Sequence, residues 1–155
     1  MLYHLYYPEE FEALYAIEEV CFQPPFRFSR RYMRSLVDAR HTATWIAEDD
    51  CRMAGFAIVD WRNDSGELIA YIQTIEVTPE YRGRGVGGEL LRRVEGSACA
   101  AGAIGIWLHA DERNNRAVRL YSANGYSCEG LEPDYYAPGR AALIYWKLLV
   151  PKPGC

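Results

Sequence analysis

Apolar positions near the start of the chain recur at the three- and four-residue spacing of amphipathic helices. A first stripe follows Pro8, because proline is favoured in the first turn of a helix, and it ends before Pro24-Pro25. Its apolar members are Phe11, Leu14, Tyr15, Ile17 and Cys21, with Glu18 and Glu19 facing outward. Ser29 suits the N-cap of a second helix. The pattern therefore predicts two helices joined by a proline- and aromatic-rich loop.

The next part of the chain changes to short runs rich in β-branched, aromatic and apolar residues. Residues 42–48 and 53–61 flank the turn signal Asp49-Asp50, which predicts a hairpin. Residues 68–77 follow a dense turn signal at 63–66 and extend the hairpin to a three-stranded meander. Up to this point the predicted sheet is antiparallel.

Helical and strand patterns alternate after the meander. A glycine turn at 83–88 leads into an amphipathic helix that ends at Gly102, and residues 103–108 form a buried strand. This strand–helix–strand crossover predicts that the strands at 68–77 and 103–108 run parallel. The remaining elements are a helix at 116–124, capped by Asn114 or Asn115 and stopped by Gly125, and two strands at 126–129 and 141–149 linked through residues 133–139.

Composition narrows the class of protein. The 155 residues fit a single domain, expected over residues 1–150, with a frayed tail at 151–155. A net charge of −4 gives no basic footprint for nucleic acid. Neither a signal peptide nor a membrane-length apolar run is present, which predicts a cytoplasmic protein. Five scattered cysteines without a CxxC pair indicate free thiols rather than a metal site or disulfides.

Four glycines fall within the six residues 83–88, at the start of the predicted helix. Their free N–H groups and the helix dipole would favour a bound phosphate, and Arg82 and Arg84 add positive charge. Gly83-x-Gly85-x-x-Gly88 also matches a dinucleotide fingerprint, but it follows three predicted strands and is separated from the last by a proline-containing arm. The turn is not a P-loop, because the Gly-Lys-Ser/Thr of that motif does not follow it. A turn with a purely structural role would need only one glycine.

A family resemblance favours one meaning of this turn. Arg82-x-x-Gly85-x-Gly87, preceded by Glu-Val-Thr-Pro at 76–79, resembles the acetyl-CoA motif of the GNAT superfamily of N-acetyltransferases. Further matching positions are Leu90-Leu91, Asn114, Leu120-Tyr121 and Gly125-Tyr126. The chain most resembles the ribosomal-protein-alanine and NatE kinds of N-terminal acetyltransferase. The resemblance implies an α/β fold: a mixed, mostly antiparallel sheet of six to seven strands, a splayed fourth and fifth strand, and about four flanking helices.

The same resemblance implies acetyl-CoA as co-substrate and no metal. Backbone groups of Ile75, Glu76 and Val77 would pair with the pantetheine arm, and Asn114 and Tyr121 would also contact the cofactor. The pyrophosphate would be held by residues 82–88, which are Arg82, Gly83, Arg84, Gly85, Val86, Gly87 and Gly88.

Acetyl transfer to an amine needs a base, a stabilised oxyanion and a proton for the departing thiolate. The resemblance assigns these roles to His109 paired with Tyr71, as in NatE relatives, and to Tyr121 as proton donor. Ribosomal-protein acetyltransferases typically carry glutamate at the position of His109. Each residue also has a structural alternative: a polar strand end for His109, a sheet aromatic for Tyr71 and a helix-core tyrosine for Tyr121.

Aromatic loops at 24–28 and 134–137 would flank the amine entrance. In N-terminal acetyltransferases the corresponding loops hold the first residues of a peptide, which implies substrate contacts for Phe26, Tyr135 and Tyr136. Alternatively, these rings close the hydrophobic edge of the domain. A histidine base suits an α-amine, whose pKa of about 8 lies near neutrality, better than lysine at about 10.4, whose neutralisation at pH 7 costs roughly 4–5 kcal/mol.

The sequence therefore predicts an acetyl-CoA-dependent N-acetyltransferase that acts on a protein or peptide α-amine by direct attack. One alternative is the same chemistry on a small amine, such as an amino acid, a polyamine or an aminoglycoside. Another is a non-catalytic acyl-CoA-binding regulatory module. Neither nucleic acid nor membrane is an expected partner, and the protein is expected to be a monomer or a homodimer.

Overall fold

Seven strands form one mixed sheet in the computed structural model, which describes residues 1–149. In chain order they are β1 (Leu2–Leu5), β2 (Thr42–Asp49), β3 (Arg52–Asp64), β4 (Glu67–Val77), β5 (Gly105–Asp111), β6 (Ser127–Ala137) and β7 (Arg140–Leu148). The spatial order is β1-β2-β3-β4-β5-β7-β6, and only β4 and β5 pair in parallel. The predicted α/β class with a mostly antiparallel sheet is confirmed. The tail predicted at 151–155 lies outside the described residues.

Helices cover both faces of this sheet. They are α1 (Phe11–Cys21), α2 (Arg30–Asp38), α3 (Val86–Ala101) and α4 (Asn115–Ala123), with short 3-10 turns at Pro8–Glu10 and Pro79–Tyr81. Along β3, Phe56 and Ile58 pack into the core with α1 and α2, whereas Ala57 and Val59 pack into the core with α3. Because both faces are covered, residues 54–59 are buried without interruption, as expected for a central strand.

The predicted helix signals occupy their expected places. Ser29 Oγ accepts a hydrogen bond from Tyr32 N–H at the start of α2 (3.1 Å), and Asn114 Oδ1 accepts one from Ala117 N–H at the start of α4 (3.2 Å). Gly102 ends α3 with a left-handed backbone at φ 99°. These local contacts fix where the elements that surround the site begin and end.

The sequence analysis missed one strand, β1, and predicted another, β6, too short. β1 is too short for a periodicity signal, and it forms because its four residues pair with residues 45–48 of β2. β6 runs to Ala137 instead of ending at residue 129, so most of the predicted link at 133–139 is strand. Pro133 is tolerated there because β6 is an edge strand with irregular pairing to β7.

The predicted splay between the fourth and fifth strands is present. β4 and β5 pair only where Ile69, Ala70 and Tyr71 face residues 105–107. Beyond Tyr71 of β4 and Trp107 of β5, the two strands continue without pairing to each other. On its other side, β5 pairs with β7. The divergence leaves one edge of β4 open in the middle of the sheet. Within residues 1–149, no helix combines the length and apolar character that crossing a bilayer requires.

Candidate active site

The gap between β4 and β5 opens into two adjoining clefts. The first, of about 400 Å³, is lined by the end of β4, the glycine turn and α4; we call it the cofactor cleft. The second, of about 690 Å³, is lined by the loop at 22–28, the facing parts of β4 and β5, and the end of β6; we call it the acceptor cleft. Ile75, Asn114 and Tyr121 are among the residues that line both. A molecule in one cleft would therefore lie beside a molecule in the other.

The glycine turn presents a row of backbone donors to the cofactor cleft. The first backbone bond of α3 runs from Glu89 N–H to Gly85 C=O (3.1 Å). Among the described residues, no backbone acceptor takes the N–H groups of residues 83–88. Gly83 and Gly85 adopt left-handed φ values of 77° and 82°, which glycine reaches without strain. This arrangement at a helix N-terminus fits an anionic pyrophosphate.

The two arginines of the turn behave differently from a simple pair of phosphate ligands. Arg82 turns back onto the sheet, where Nε donates to Val77 C=O (2.9 Å) and Nη2 donates to Cys21 Sγ (3.7 Å). Arg84 is exposed and its guanidinium lies over the Tyr81 ring, 5.3 Å from the ring centroid. Arg82 therefore braces the turn against β4 and α1, and the anion-binding character of the turn resides mainly in the backbone.

Asn114 and the open edge of β4 complete the cofactor cleft. The cap at Ala117 uses only Asn114 Oδ1, and the Nδ2 donor has no partner in the described part of the chain. Ile75, Glu76 and Val77 pair with β3 on one side, while their other edge faces the gap. An extended amide chain could pair with this edge as an added strand.

Tyr71 and His109 meet across the splay. The Tyr71 hydroxyl lies 2.8 Å from His109 Nδ1, and the two side chains line the acceptor cleft. The imidazole is mostly covered, with 10% of the side chain exposed. Burial raises the pKa of Tyr71 well above the ordinary value of a phenol. The Tyr71 hydroxyl therefore stays neutral in the resting state, in contact with the histidine.

Tyr121 lies where the two clefts join. Its ring packs against Tyr126 and Tyr145, with centroid distances of 5.6 and 6.0 Å. Within residues 1–149 no group forms a hydrogen bond with its hydroxyl, and burial raises its pKa above that of a free tyrosine. The hydroxyl is a protonated donor available to a group bound at the junction.

Aromatic rings form a continuous line across the acceptor cleft. Phe26 packs on Tyr136 (5.2 Å between centroids), Tyr136 stacks on Tyr135 (4.9 Å), and Tyr135 meets His109 edge to face (4.2 Å). Arg140 lies over the Phe26 ring at 4.6 Å and pairs with Asp111. The structure thus brings all three predicted acceptor-site rings to one wall that leads to the histidine.

The expectation that Glu18 faces outward was wrong. Its side chain is fully buried beside that of Glu76 of β4, also buried, and each carboxyl group has one buried oxygen without a hydrogen-bond partner in the described residues. Glu18 Oε2 accepts from Phe28 N–H (3.0 Å), and Thr74 Oγ1 donates to Glu76 Oε2 (2.9 Å). Because burial, followed by the Glu18 carboxyl, raises the pKa of Glu76, we expect the pair to hold a shared proton. The helical stripe could not reveal this, because the partner lies on a distant strand.

We expect Glu76→Gln to stabilise the protein increasingly as the pH rises. A carboxyl pKa raised by folding favours the folded state at low pH, and that contribution is lost as the pH climbs from the ordinary glutamate value of 4.5 through the raised one. The amide keeps the Thr74 contact, can donate to Glu18 and needs no shared proton. Thermal unfolding at pH 5.5 and pH 9 measures the difference, at roughly 3 °C for each kcal/mol.

The exposed Glu67 provides the matched control, because Glu67→Gln removes the same charge without touching the pair. Its melting temperature should follow that of the unchanged protein at both pH values. Parallel curves for Glu76→Gln and the unchanged protein would contradict a shared proton in the Glu18–Glu76 pair.

The described residues contain no cluster of three or more His, Cys, Asp or Glu side chains that could hold a metal ion. The side chains that line the clefts include the Tyr71 and Tyr121 hydroxyls and the His109 imidazole. These are groups that move protons and donate hydrogen bonds.

Comparison with known proteins agrees with this geometry. A model of the acetyltransferase (GNAT) family matches residues 11–126. An uncharacterized N-acetyltransferase of Mycobacterium tuberculosis is 30% identical over 102 residues, covering 66% of this chain and 63% of that protein. The streptothricin acetyltransferase of Streptomyces lavendulae is 34% identical over 87 residues, covering 56% and 45%. A ribosomal-protein alanine N-acetyltransferase of Salmonella typhimurium is 31% identical over 87 residues, covering 56% of each.

The matched segment thus spans less than two thirds of the length of these three relatives. Among solved structures, the ribosomal-protein alanine N-acetyltransferase from Escherichia coli superposes with a TM-score of 0.85 at 22% identity. That superposition covers 99% of this chain and 96% of the other. At this identity the likeness concerns the fold, which includes the splayed sheet described above.

Proposed function

Because the chain belongs to the GNAT family of acetyltransferases, we propose that it moves the acetyl group of acetyl-CoA to the N-terminal α-amine of a protein or peptide. The observation that carries the proposal is the junction of the two clefts. Tyr121 lines both, and the hydrogen-bonded Tyr71–His109 pair lines the acceptor side. A thiolate leaving group and an attacking amine would meet there with a donor and a base in reach.

The cofactor cleft suits the two polar parts of CoA. The unpaired N–H groups of residues 83–88 would bind the pyrophosphate, and the open edge of β4 at Ile75, Glu76 and Val77 would pair with the pantetheine amides. The Nδ2 group of Asn114 is a further donor for this arm. When bound, acetyl-CoA supplies the activated acyl group, and the protein residues position the thioester and handle protons.

Direct attack by the amine fits the chemistry of the residues at the junction. His109, through the Tyr71 hydroxyl, would accept the proton that the amine loses. The cysteine that lines both clefts, Cys21, is not poised as a nucleophile, because burial and then the Glu76 charge raise its thiol pKa to about 11. The acetyl group therefore passes to the amine without an acetyl-cysteine intermediate.

A peptide acceptor is supported by the shape of the acceptor cleft and by the base. The wall of Phe26, Tyr135 and Tyr136 presents flat apolar surfaces with hydroxyl groups along the path to His109, which suits an extended backbone. An α-amine near pKa 8 needs far less assistance from a histidine than a lysine side chain near 10.4. A protein or peptide N-terminus is thus the acceptor whose deprotonation needs the least help from the site.

The similarity to a streptothricin acetyltransferase favours a second candidate, a small-molecule amine. The acceptor cleft, of about 690 Å³, could also admit a small amine. A non-catalytic acyl-CoA-binding module is the remaining alternative. The predicted cytoplasmic location and the monomeric or homodimeric state stay predictions.

Thiol release from acetyl-CoA tests the function directly. We expect turnover with peptides that carry free N-termini and at least 10-fold lower kcat/KM with N-capped, lysine-containing peptides and with small amines, since a lysine amine at neutral pH is largely protonated. Selective turnover of small amines would replace the peptide assignment with the second candidate. Tight acetyl-CoA binding without turnover of any amine would establish the non-catalytic module.

A further inference from the structure

His109 has a second polar partner, which the family resemblance did not assign. Its Nε2 atom lies 3.2 Å from Glu132 Oε1, on the opposite side of the ring from the 2.8 Å contact between Nδ1 and Tyr71. Glu132 belongs to β6, next to the wall formed by Tyr135 and Tyr136. The three side chains form a hydrogen-bonded row from the acceptor cleft to the protein surface.

The carboxylate decides which ring nitrogen carries the proton. An ionised carboxyl group only accepts hydrogen bonds, so the contact with Glu132 requires a proton on His109 Nε2. In the neutral imidazole the other nitrogen, Nδ1, then bears the lone pair. Nδ1 must accept the hydrogen bond from the Tyr71 hydroxyl, whose oxygen also has the Tyr135 side chain as a partner and keeps a lone pair that can receive a proton from an amine.

Among the described residues, Glu132 is the charged side chain that contacts the imidazole. The Tyr71 hydroxyl faces it from β4, the Trp107 ring from β5, and the Tyr135 ring from β6. Asp111, two residues further along β5, is paired with Arg140. The exposed fraction rises from 10% at the His109 side chain to 52% at Glu132, so the row ends in solvent.

We propose that Glu132 is a positioning residue for the acetyl transfer, which holds His109 in the tautomer that accepts a proton from Tyr71. The inference rests on the function proposed above. During the reaction the amine proton moves to the Tyr71 oxygen as the Tyr71 proton moves to His109 Nδ1. The resulting imidazolium is then stabilised by the Glu132 carboxylate, and loss of the Nδ1 proton to solvent in the acceptor cleft restores the starting tautomer. No bond to Glu132 forms or breaks in these steps.

Glu132→Gln tests this role, with Glu129→Gln as the matched control on the same strand. We expect kcat to fall about 10-fold with KM for both substrates within about twofold, since only the protonated imidazole loses a stabilising charge. The acidic limb of the kcat–pH profile should move to lower pH, because the neutral amide no longer favours the imidazolium. Glu129→Gln, whose carboxylate contacts Ser127, should change neither quantity.

Nitrogen-15 NMR of the imidazole gives a readout that does not depend on activity. The unchanged protein should show His109 protonated at Nε2 near pH 8, and Glu132→Gln should show a larger fraction of the Nδ1-protonated form. If the tautomer shifts as expected but no amine is ever acetylated, the proposed function fails while the positioning by Glu132 stands. An active Glu132→Gln variant with the original pH profile and tautomer would overturn the positioning role.

Discussion

Replacing His109 with alanine is expected to lower kcat by roughly 10²- to 10⁴-fold, the range typical of removing a positioned general base. The substitution takes away the imidazole that accepts the Tyr71 proton and leaves the Tyr135 side chain as the other hydrogen-bond partner of Tyr71. The KM for acetyl-CoA should change less than about twofold, because His109 does not line the cofactor cleft. Steady-state thiol release, varied in each substrate, separates these effects.

Two further variants show whether His109 acts together with Tyr71. His4→Ala removes a histidine that also contacts a carboxylate, 3.1 Å from Glu48, but lies on the edge strand β1, and it should leave kcat unchanged. Tyr71→Phe should lower kcat, and the double variant Tyr71→Phe/His109→Ala should be scarcely slower than the slower single one, because residues that act as a unit are not additive. Full multiplication of the two losses, or an unimpaired His109→Ala variant, would contradict the base assignment.

Much of the fold was predictable because its signals are local. Ser29 and Asn114 cap their helices with their own side chains, and Gly102 supplies the left-handed residue that ends α3. The crossover from β4 through α3 to β5 follows from chain direction and helix length alone. The glycine content of residues 83–88 likewise predicts an anion-binding turn.

The rest depends on contacts between residues distant in sequence. The helical pattern predicts an outward-facing Glu18. The sheet instead places Glu76, 58 residues later in the chain, beside it. Glu132 reaches His109 only because β6 pairs with β7 and β7 pairs with β5. β6 itself contains a proline and a turn-like segment, so an edge strand was hidden by its composition. These are the places where pairing overrides local preference.

A family resemblance located Tyr71, His109 and Tyr121, but it could not say how each is connected. The structure adds that Arg82 is occupied with Val77 and Cys21, so the phosphate-binding potential lies in the backbone of residues 83–88. It also joins His109, the proposed base, to a surface carboxylate and leaves the Tyr121 hydroxyl without a protein partner in the described part of the chain. The difference between the two tyrosines, one engaged and one available, matches a base relay and a leaving-group donor.

The second large effect is expected at the leaving group. Tyr121→Phe should lower kcat on the order of 10²-fold, the lower end of the range for a positioned acid, while acetyl-CoA binding stays nearly unchanged. The ring, which packs on Tyr126 and Tyr145, is retained, and only the hydroxyl at the junction of the clefts is lost. Single-turnover acetyl transfer, together with direct titration of CoA binding, distinguishes the chemical step from affinity.

Tyr126→Phe is the matched control, since it removes a neighbouring hydroxyl that donates to Glu95 (2.7 Å) on a residue that lines neither cleft. It should cost stability and leave kcat unchanged; equal losses of kcat in both variants would contradict a specific role for Tyr121.

The relative acidities of tyrosine and thiol also restrict the role of Tyr121. A thiol with a pKa of about 8.5 is a stronger acid than a tyrosine at 10 or above, so complete proton transfer from Tyr121 to the thiolate runs uphill in water. Burial raises the pKa of Tyr121, which makes complete proton transfer from its hydroxyl still less favourable. A hydrogen bond to the developing charge is therefore the effect that the hydroxyl supplies in the transition state, with the proton following as CoA departs.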